Sequence, residues 1–105
     1  MTPFTKTILQ QIFAQAQWAV VTEILDADCG SNLPLIERQG ESGIERMQCA
    51  ALKMSAGSLQ RLQEAIKQAQ VDWRDVLVAT GFANNATAHL EWTPEGPPAD
   101  SRDGL

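Results

Sequence analysis

The sequence lacks tyrosine altogether, and its 105 residues include one histidine and two cysteines. Cys29 and Cys49 stand 20 residues apart and match neither the CxxC motif of redox proteins nor the ligand spacing of a zinc site. With His89 as the one imidazole, the sequence predicts no metal site and no cofactor. The spacing leaves a disulfide open, but we expect two free thiols, with Cys49 on the buried face of a helix, in a cytoplasmic protein.

Long apolar runs and basic clusters are also missing. No uninterrupted apolar run exceeds four residues, whereas a helix needs about 20 to cross a bilayer, so we expect no membrane partner. The first residues carry one cation and lack the apolar core of a signal peptide. The eight basic residues are dispersed and the net charge is −5. This composition argues against nucleic acid as a partner, because such binding depends on Lys and Arg that neutralise phosphates.

The sequence does contain enough apolar residues, 44% of the total, for the core of one small domain. They recur mostly at helical spacing, and the one strand-like stretch, residues 18–22, has no second strand to pair with. We therefore predict an all-α fold, a small array of four to six helices over residues 1–92. Residues 93–105 are rich in proline, glycine and acids, which predicts a disordered C-terminal tail.

The first helical pattern covers residues 3–26 and carries no charge between Thr7 and Thr22. Thr2, followed by proline, is a typical helix start. The pattern predicts either one long helix or two helices that break near Gln17. Glutamines form its polar face, so this face either meets solvent or packs against a partner, including a second copy of the chain.

Capping residues and glycines divide the rest of the chain. Residues 28–42 predict a loop with one short helical turn, anchored by Leu33 and Ile36 and ended by Gly40. Residues 86–92 predict a short last segment. Helix starts and ends are marked by Ser42 with Glu45 as a capping box, by Ser58, by Asp72 with Asp75, and by Gly57 and Gly81.

Two segments carry a resemblance to a known group of proteins. They are MQCAALKMSAGSL at residues 47–59 and VDWRDVL at residues 71–77. Together they resemble small bacterial proteins of unknown function, in which a helix ending in LKLS-x-G precedes another helix and then a D-[YW]-R-D-[VL]-L segment. The resemblance covers residues 44–82 and implies a small helical bacterial protein, without implying an activity.

His89 is the first candidate for chemistry, since an imidazole can act as a general base near neutral pH. The alternative is a surface or half-buried histidine on a short last helix. Glu91, two residues away, would point elsewhere on a helix and could not orient the ring. A thiol–base pair of Cys49 with His89 requires the fold to bring them together, and a buried structural Cys49 is the alternative.

Trp73 and Arg74 are residue types that dominate binding energy at protein interfaces. The alternative places Trp73 in the core and pairs Arg74 internally, with Glu45 or Asp75. Trp92, just before the tail, is either a clamp that closes the core or an exposed anchor for a partner.

Three functions remain open from the sequence. The first is a non-enzymatic protein–protein interaction module or adaptor, including a homodimer, with Trp73, Arg74, His89 and Trp92 as binding residues. The second is a small enzyme or ligand-binding protein with an inter-helix pocket near His89 and Arg74. The third is an acidic inhibitor or immunity-like protein. The tail has three acids and one base, which leaves the folded part at −3 and weakens this third interpretation.

Overall fold

The computed structural model describes residues 1–30, 32–33, 36–85 and 87–94. This part of the chain contains helices and no strand, which confirms the predicted all-α fold. Two short 3-10 turns, Gln15–Gln17 and Ile36–Gln39, precede the second and third helices. The five α-helices are α1 (Pro3–Ile12), α2 (Trp18–Asp28), α3 (Gly40–Ser55), α4 (Leu59–Thr80) and α5 (Ala88–Glu91).

The first helical pattern forms two helices, as one of the two alternatives predicted, and the break lies at Phe13 and Ala14. Both residues have extended backbone, with ψ near 150°. Phe13 is 1% exposed, and its carbonyl accepts a hydrogen bond of 2.8 Å from the indole Nε1 of Trp18. The break thus buries the Phe13 ring, and the Phe13 carbonyl, which lies outside the helix, still has a hydrogen-bond donor. At the other end of α1, the predicted Thr2 cap is confirmed, since Thr2 Oγ1 accepts from the Thr5 amide.

The start of α3 differs from the sequence-based prediction. We expected Ser42 and Glu45 to form a capping box, and this was wrong. The helix begins at Gly40, directly after the turn Ile36–Gln39, and has no side-chain cap. Gly40 therefore does not end a short helix but connects the turn to α3, with a left-handed φ of 69° that favours glycine. Ser42 lies exposed in the first turn of α3, and the Glu45 side chain bonds elsewhere.

Helix α4 follows its predicted caps, whereas α3 ends with Ala56 as its cap, directly before the predicted Gly57. Ser58 Oγ accepts from the Arg61 amide and starts α4. Asp72 leaves the helical conformation (φ −155°, ψ 98°) and kinks α4 there, and its Oδ1 accepts from the Arg74 amide. Asp72 thus caps the second half of α4, which ends at Gly81 with a φ of 82°.

Helix α3 lies at the centre of the fold and packs against α1, α4, α5 and the turn Ile36–Gln39. Leu33 and Ile36 anchor the preceding loop in the core, as predicted, with exposures of 1% and 0%. Both cysteines are free and Cys49 is buried on a helix, as predicted; Cys29 is buried as well.

Thr93 and Pro94 carry no regular secondary structure. The remainder of the predicted disordered tail, residues 95–105, lies outside the described residues. Among the helices that the structure describes, none is long and apolar enough to cross a membrane.

Candidate functional site

His89 is buried and paired with a carboxylate from a distant part of the chain. It lies on α5 with 1% exposure, and its Nε2 is 2.8 Å from Oε1 of Glu45 on α3. The rings of Phe4 and Phe82 meet the imidazole edge to face, with centroids 5.9 and 6.3 Å away. The prediction of a surface or half-buried histidine is therefore wrong. The core encloses the imidazole ring, and Glu45, which lies 44 residues away in the sequence, orients it.

A chain of hydrogen bonds extends from Glu45 to Cys49. Thr2 Oγ1 donates to Glu45 Oε2 at 2.5 Å, Thr5 Oγ1 lies 3.1 Å from Thr2 Oγ1, and Cys49 Sγ lies 3.9 Å from Thr5 Oγ1. Each hydroxyl has one proton. Because the Thr2 proton is directed to Glu45, the Thr5 hydroxyl must donate to Thr2, and the Cys49 thiol must donate to Thr5. Every donor in the chain therefore points toward the carboxylate.

This arrangement keeps Cys49 protonated. Burial raises the pKa of its thiol to about 12, and the nearby Glu45 charge adds to the rise. A thiol with so high a pKa is a poor nucleophile near neutral pH. The hydrogen-bond path from Cys49 to His89 runs through two threonines and Glu45, so the geometry is that of a polar core cluster.

His89 Nδ1 is also buried and has no hydrogen-bond partner in the structure. A general base needs to reach the proton that it removes. The imidazole has one nitrogen occupied by Glu45 and the other enclosed among apolar rings. The imidazole joins α5 to α3, and it is closed off from solvent.

Two cations of α3 hold the segment between α4 and α5. Arg46 Nη1 donates to the Phe82 carbonyl at 3.3 Å, and Lys53 Nζ donates to the Thr80 carbonyl at 2.9 Å. The Lys53 ammonium lies 4.9 Å from the Phe82 ring centroid and 6.0 Å from that of Trp92. The Phe82 and Trp92 rings are 6.0 Å apart. Trp92 is half-buried against the core, the position of a clamp rather than of an exposed anchor.

The other two predicted binding residues lie at the kink of α4. Trp73 is half-buried against the core. Arg74 has a side chain that is 76% exposed, and its Nε contacts Asp72 Oδ1 at 3.3 Å, in place of the expected Glu45 or Asp75. The structure thus joins His89 and Trp92 through Phe82, while Arg74 faces solvent.

Two of the most exposed apolar side chains in the described residues flank Arg74. Val71 is 84% exposed and Val78 is 68% exposed. Arg74 and Asp75 are the exposed residues between them that carry charge. We call the surface formed by Val71, Arg74, Asp75 and Val78 the α4 face.

An open cleft of about 340 Å³ lies beside the buried Glu45–His89 pair. Gln48 is among the residues that line it and is 1% exposed. The Gln48 amide nitrogen donates to the Leu25 carbonyl at 3.2 Å, and the amide oxygen Oε1 has no hydrogen-bond partner. The residues around the cleft are Met1, Thr2, Gly40, Glu41, Ile44, Glu45 and Gln48.

Sequence reasoning missed Glu45, Thr2 and Gln48 as members of a site. The S-x-x-E pattern assigned Glu45 to a local cap, and nothing in the spacing indicates that residue 2 meets residue 45. One local signal was present: Gln48 interrupts an otherwise apolar run on a central helix, which is unusual for a core position.

The fold and the site define a small α-helical protein with a buried polar cluster, an exposed apolar and charged helix face, and a partly acidic cleft. No protein-family model, curated protein or solved structure matches this chain. The resemblance to small bacterial proteins over residues 44–82 therefore stays a prediction. In the part of the chain that the structure describes, no three His, Cys, Asp or Glu side chains are grouped as a metal site would require.

Proposed function

We propose that this chain is a non-enzymatic protein–protein interaction module, and that it forms a symmetric homodimer through the α4 face. The observation that carries the proposal is the exposure of Val71 and Val78, 84% and 68%. Exposed apolar side chains that lie close together mark interaction sites, and arginine, here Arg74, is enriched at the centre of such sites. The buried thiols favour a cytoplasmic setting, where cysteines remain reduced.

The partner is a second copy because the α4 face is complementary to itself. Its residues are spaced by three, one and three positions, so the pattern is symmetric about the point between Arg74 and Asp75. Asp72 kinks α4 between Val71 and Arg74, so the symmetry is one of chain order. In an antiparallel pair with a two-fold axis at that point, Val71 lies on the side of Val78 of the partner subunit. Arg74 then meets Asp75 of the partner subunit. Apolar residues oppose apolar ones and opposite charges oppose each other, as an isologous interface requires.

Arg74 retains donors for such a contact. Its Nε is bonded to Asp72 within the same chain, but a guanidinium has five N–H donors, and the remaining ones suit a second carboxylate. The face spans only eight residues. We therefore expect a weak dimer, with a dissociation constant on the order of 100 μM. Such a dimer is much less stable than one held by a large obligate interface.

A charge-exchange experiment tests the symmetric pairing. Arg74→Asp places two acids opposite each other in a homodimer, and Asp75→Arg places two bases opposite each other. Each single variant should weaken self-association by about tenfold or more, measured by sedimentation equilibrium. A mixture of the two single variants restores both opposite-charge contacts, and so should associate at least as strongly as the wild-type chain.

The matched controls are Arg61→Asp and Glu64→Arg, which make the same charge changes at exposed positions on the first half of α4. They should leave association unchanged. The proposed homodimer is refuted if the wild-type chain stays monomeric at millimolar concentration, or if the two α4-face variants fail to associate when mixed.

A further inference from the structure

The carboxylate of Asp72 holds two different parts of Arg74. Its Oδ1 accepts a hydrogen bond from the Arg74 backbone amide at 3.1 Å and lies 3.3 Å from the side-chain Nε of the same residue. The first contact caps the second half of α4 and requires an oxygen. The second contact is an ion pair and requires the negative charge. Asp72 therefore has one role in the fold and another in the charge of the surface.

The kink in α4 brings the Asp72 carboxylate next to the α4 face. Asp72 has extended backbone (φ −155°, ψ 98°), which ends the first half of the helix, and its carboxylate turns to the start of the second half. Arg74 and Asp75 lie in the first turn of that second half. The positive end of its helix dipole also favours an anion there.

Asp72 adds a second acid to a face that carries one base. Each α4 face contributes Arg74 and Asp75 to the proposed dimer, and those two charges balance. With Asp72 beside them, two guanidinium groups meet four carboxylates across the two-fold axis. Each chain also carries a net charge of −5. Both the local and the overall charge therefore oppose self-association.

Asp72 has two opposite effects on a contact between Arg74 and Asp75 of the partner subunit. It restrains the guanidinium, which favours the contact, and it repels the incoming carboxylate, which disfavours it. The restraint is weak, because the Arg74 side chain is 76% exposed, the Asp72 side chain is 37% exposed, and exposed ion pairs hold their side chains loosely. The repulsion persists in every orientation of Arg74, and we therefore expect it to be the larger effect.

We infer that Asp72 is an autoinhibitory residue, whose ion pair with Arg74 competes with Asp75 of the partner subunit and keeps the homodimer weak. This inference rests on the proposed homodimer and adds the regulation of its interface. Arg74 is the shared group: in the free chain it is paired with Asp72, and in the dimer a second carboxylate approaches it.

Asp72→Asn separates the charge of Asp72 from its capping oxygen. Asparagine caps a helix about as well as aspartate, so the second half of α4 should keep its start. The variant lacks the competing charge, and the dissociation constant of the full chain should fall by about three- to tenfold, measured by sedimentation equilibrium at low salt. The difference from the wild-type chain should shrink at high salt, where exposed charges are screened.

Two matched variants make the same chemical change at other acids of α4. Asp75→Asn, three residues along the chain, removes the contact with Arg74 of the partner subunit and should raise the dissociation constant by about three- to tenfold. Glu64→Gln removes an exposed acid from the first half of α4 and should leave association unchanged. Opposite effects of Asp72→Asn and Asp75→Asn distinguish a competing charge from a general loss of negative charge.

The autoinhibitory role is overturned if Asp72→Asn leaves the dissociation constant unchanged or raises it, or if Glu64→Gln lowers it equally. Those results leave the homodimer standing, because self-association of the wild-type chain and the charge-exchange mixture test it separately. If Asp72→Asn associates while the wild-type chain stays monomeric at millimolar concentration, the inhibition by Asp72 is supported and the wild-type homodimer is refuted. If both chains stay monomeric, both proposals are wrong.

Discussion

The contact between Glu45 and His89 should be one of the strongest single links between α3 and α5, and a double-mutant cycle measures it. The variants are Glu45→Ala, His89→Phe and the double variant. His89 is 1% exposed, so the loss of Glu45 leaves an imidazole with both nitrogens unpaired in the core. A buried polar group in that state costs about 2 kcal/mol, and loss of the Thr2 hydrogen bond adds about 1 kcal/mol. We therefore expect Glu45→Ala to lower the free energy of unfolding by about 3 kcal/mol.

His89→Phe should cost less, about 1 kcal/mol. The phenyl ring keeps the edge-to-face contacts with Phe4 and Phe82, seen at 5.9 and 6.3 Å for the imidazole. The freed carboxylate of Glu45 has a side chain that is 15% exposed and can hydrate through the cleft. In the double variant no unpaired imidazole remains, so its destabilisation should fall short of the sum of the single variants by about 2 kcal/mol.

Urea unfolding followed by circular dichroism measures all four free energies. For a domain of this size the total is about 5 to 15 kcal/mol, so a change of 3 kcal/mol is readily resolved. A coupling below about 0.5 kcal/mol would show that the pair adds nothing beyond packing, and would refute the role that we assign to Glu45.

Two further predictions concern the thiols and the end of α3. The pKa of the Cys29 and Cys49 thiols is about 12, against an ordinary value of 9.0, because burial disfavours the thiolate. Above pH 9 the thiols ionise in the unfolded chain but not in the folded one, so the free energy of unfolding should fall between pH 9 and pH 12, by about 1.4 kcal/mol per cysteine per pH unit. Ala56 caps α3 with a left-handed φ of 50°, a conformation that favours glycine, so Ala56→Gly should raise the free energy of unfolding by about 0.5 to 1 kcal/mol in urea titrations.

Each of these predictions has an internal control. A variant with alanine at both cysteines should lose the extra pH dependence between pH 9 and pH 12, and an unchanged slope would contradict the assignment to the thiols. Ala79→Gly, at an exposed position inside α4, should destabilise by about 1 kcal/mol, because glycine is unfavourable within a helix. If both glycine variants change the free energy of unfolding in the same direction, the left-handed conformation of Ala56 does not determine the effect of Ala56→Gly.

Local sequence determined where α1 and both halves of α4 start, and where α4 ends. Thr2, Ser58 and Asp72 act as caps because a side-chain oxygen reaches an amide two or three residues along the chain. Gly81 ends α4 because the helix exits through a left-handed residue. Such contacts depend on residues within one helical turn, so spacing and residue type suffice to predict them.

Local reasoning was insufficient where two segments compete for one side chain. The pattern at Ser42 and Glu45 satisfies the rule for a capping box, yet Glu45 accepts instead from Thr2 and His89. A capping box is worth about 1 kcal/mol on the surface, whereas a buried imidazole left without an acceptor costs more than that. The tertiary contact therefore overrides the local one.

The sequence by itself determined an all-α fold, the caps of α1 and α4 and the burial of Cys49, because helical periodicity and capping act over a few residues. Tertiary structure alone decided that residues 2, 45 and 89 meet, that Gln48 is buried and that Arg74 faces solvent. Those outcomes depend on how the apolar faces of α1, α3 and α5 pack together. Packing of this kind brings together residues more than 40 positions apart, and no repeat or spacing in the chain encodes which ones they are.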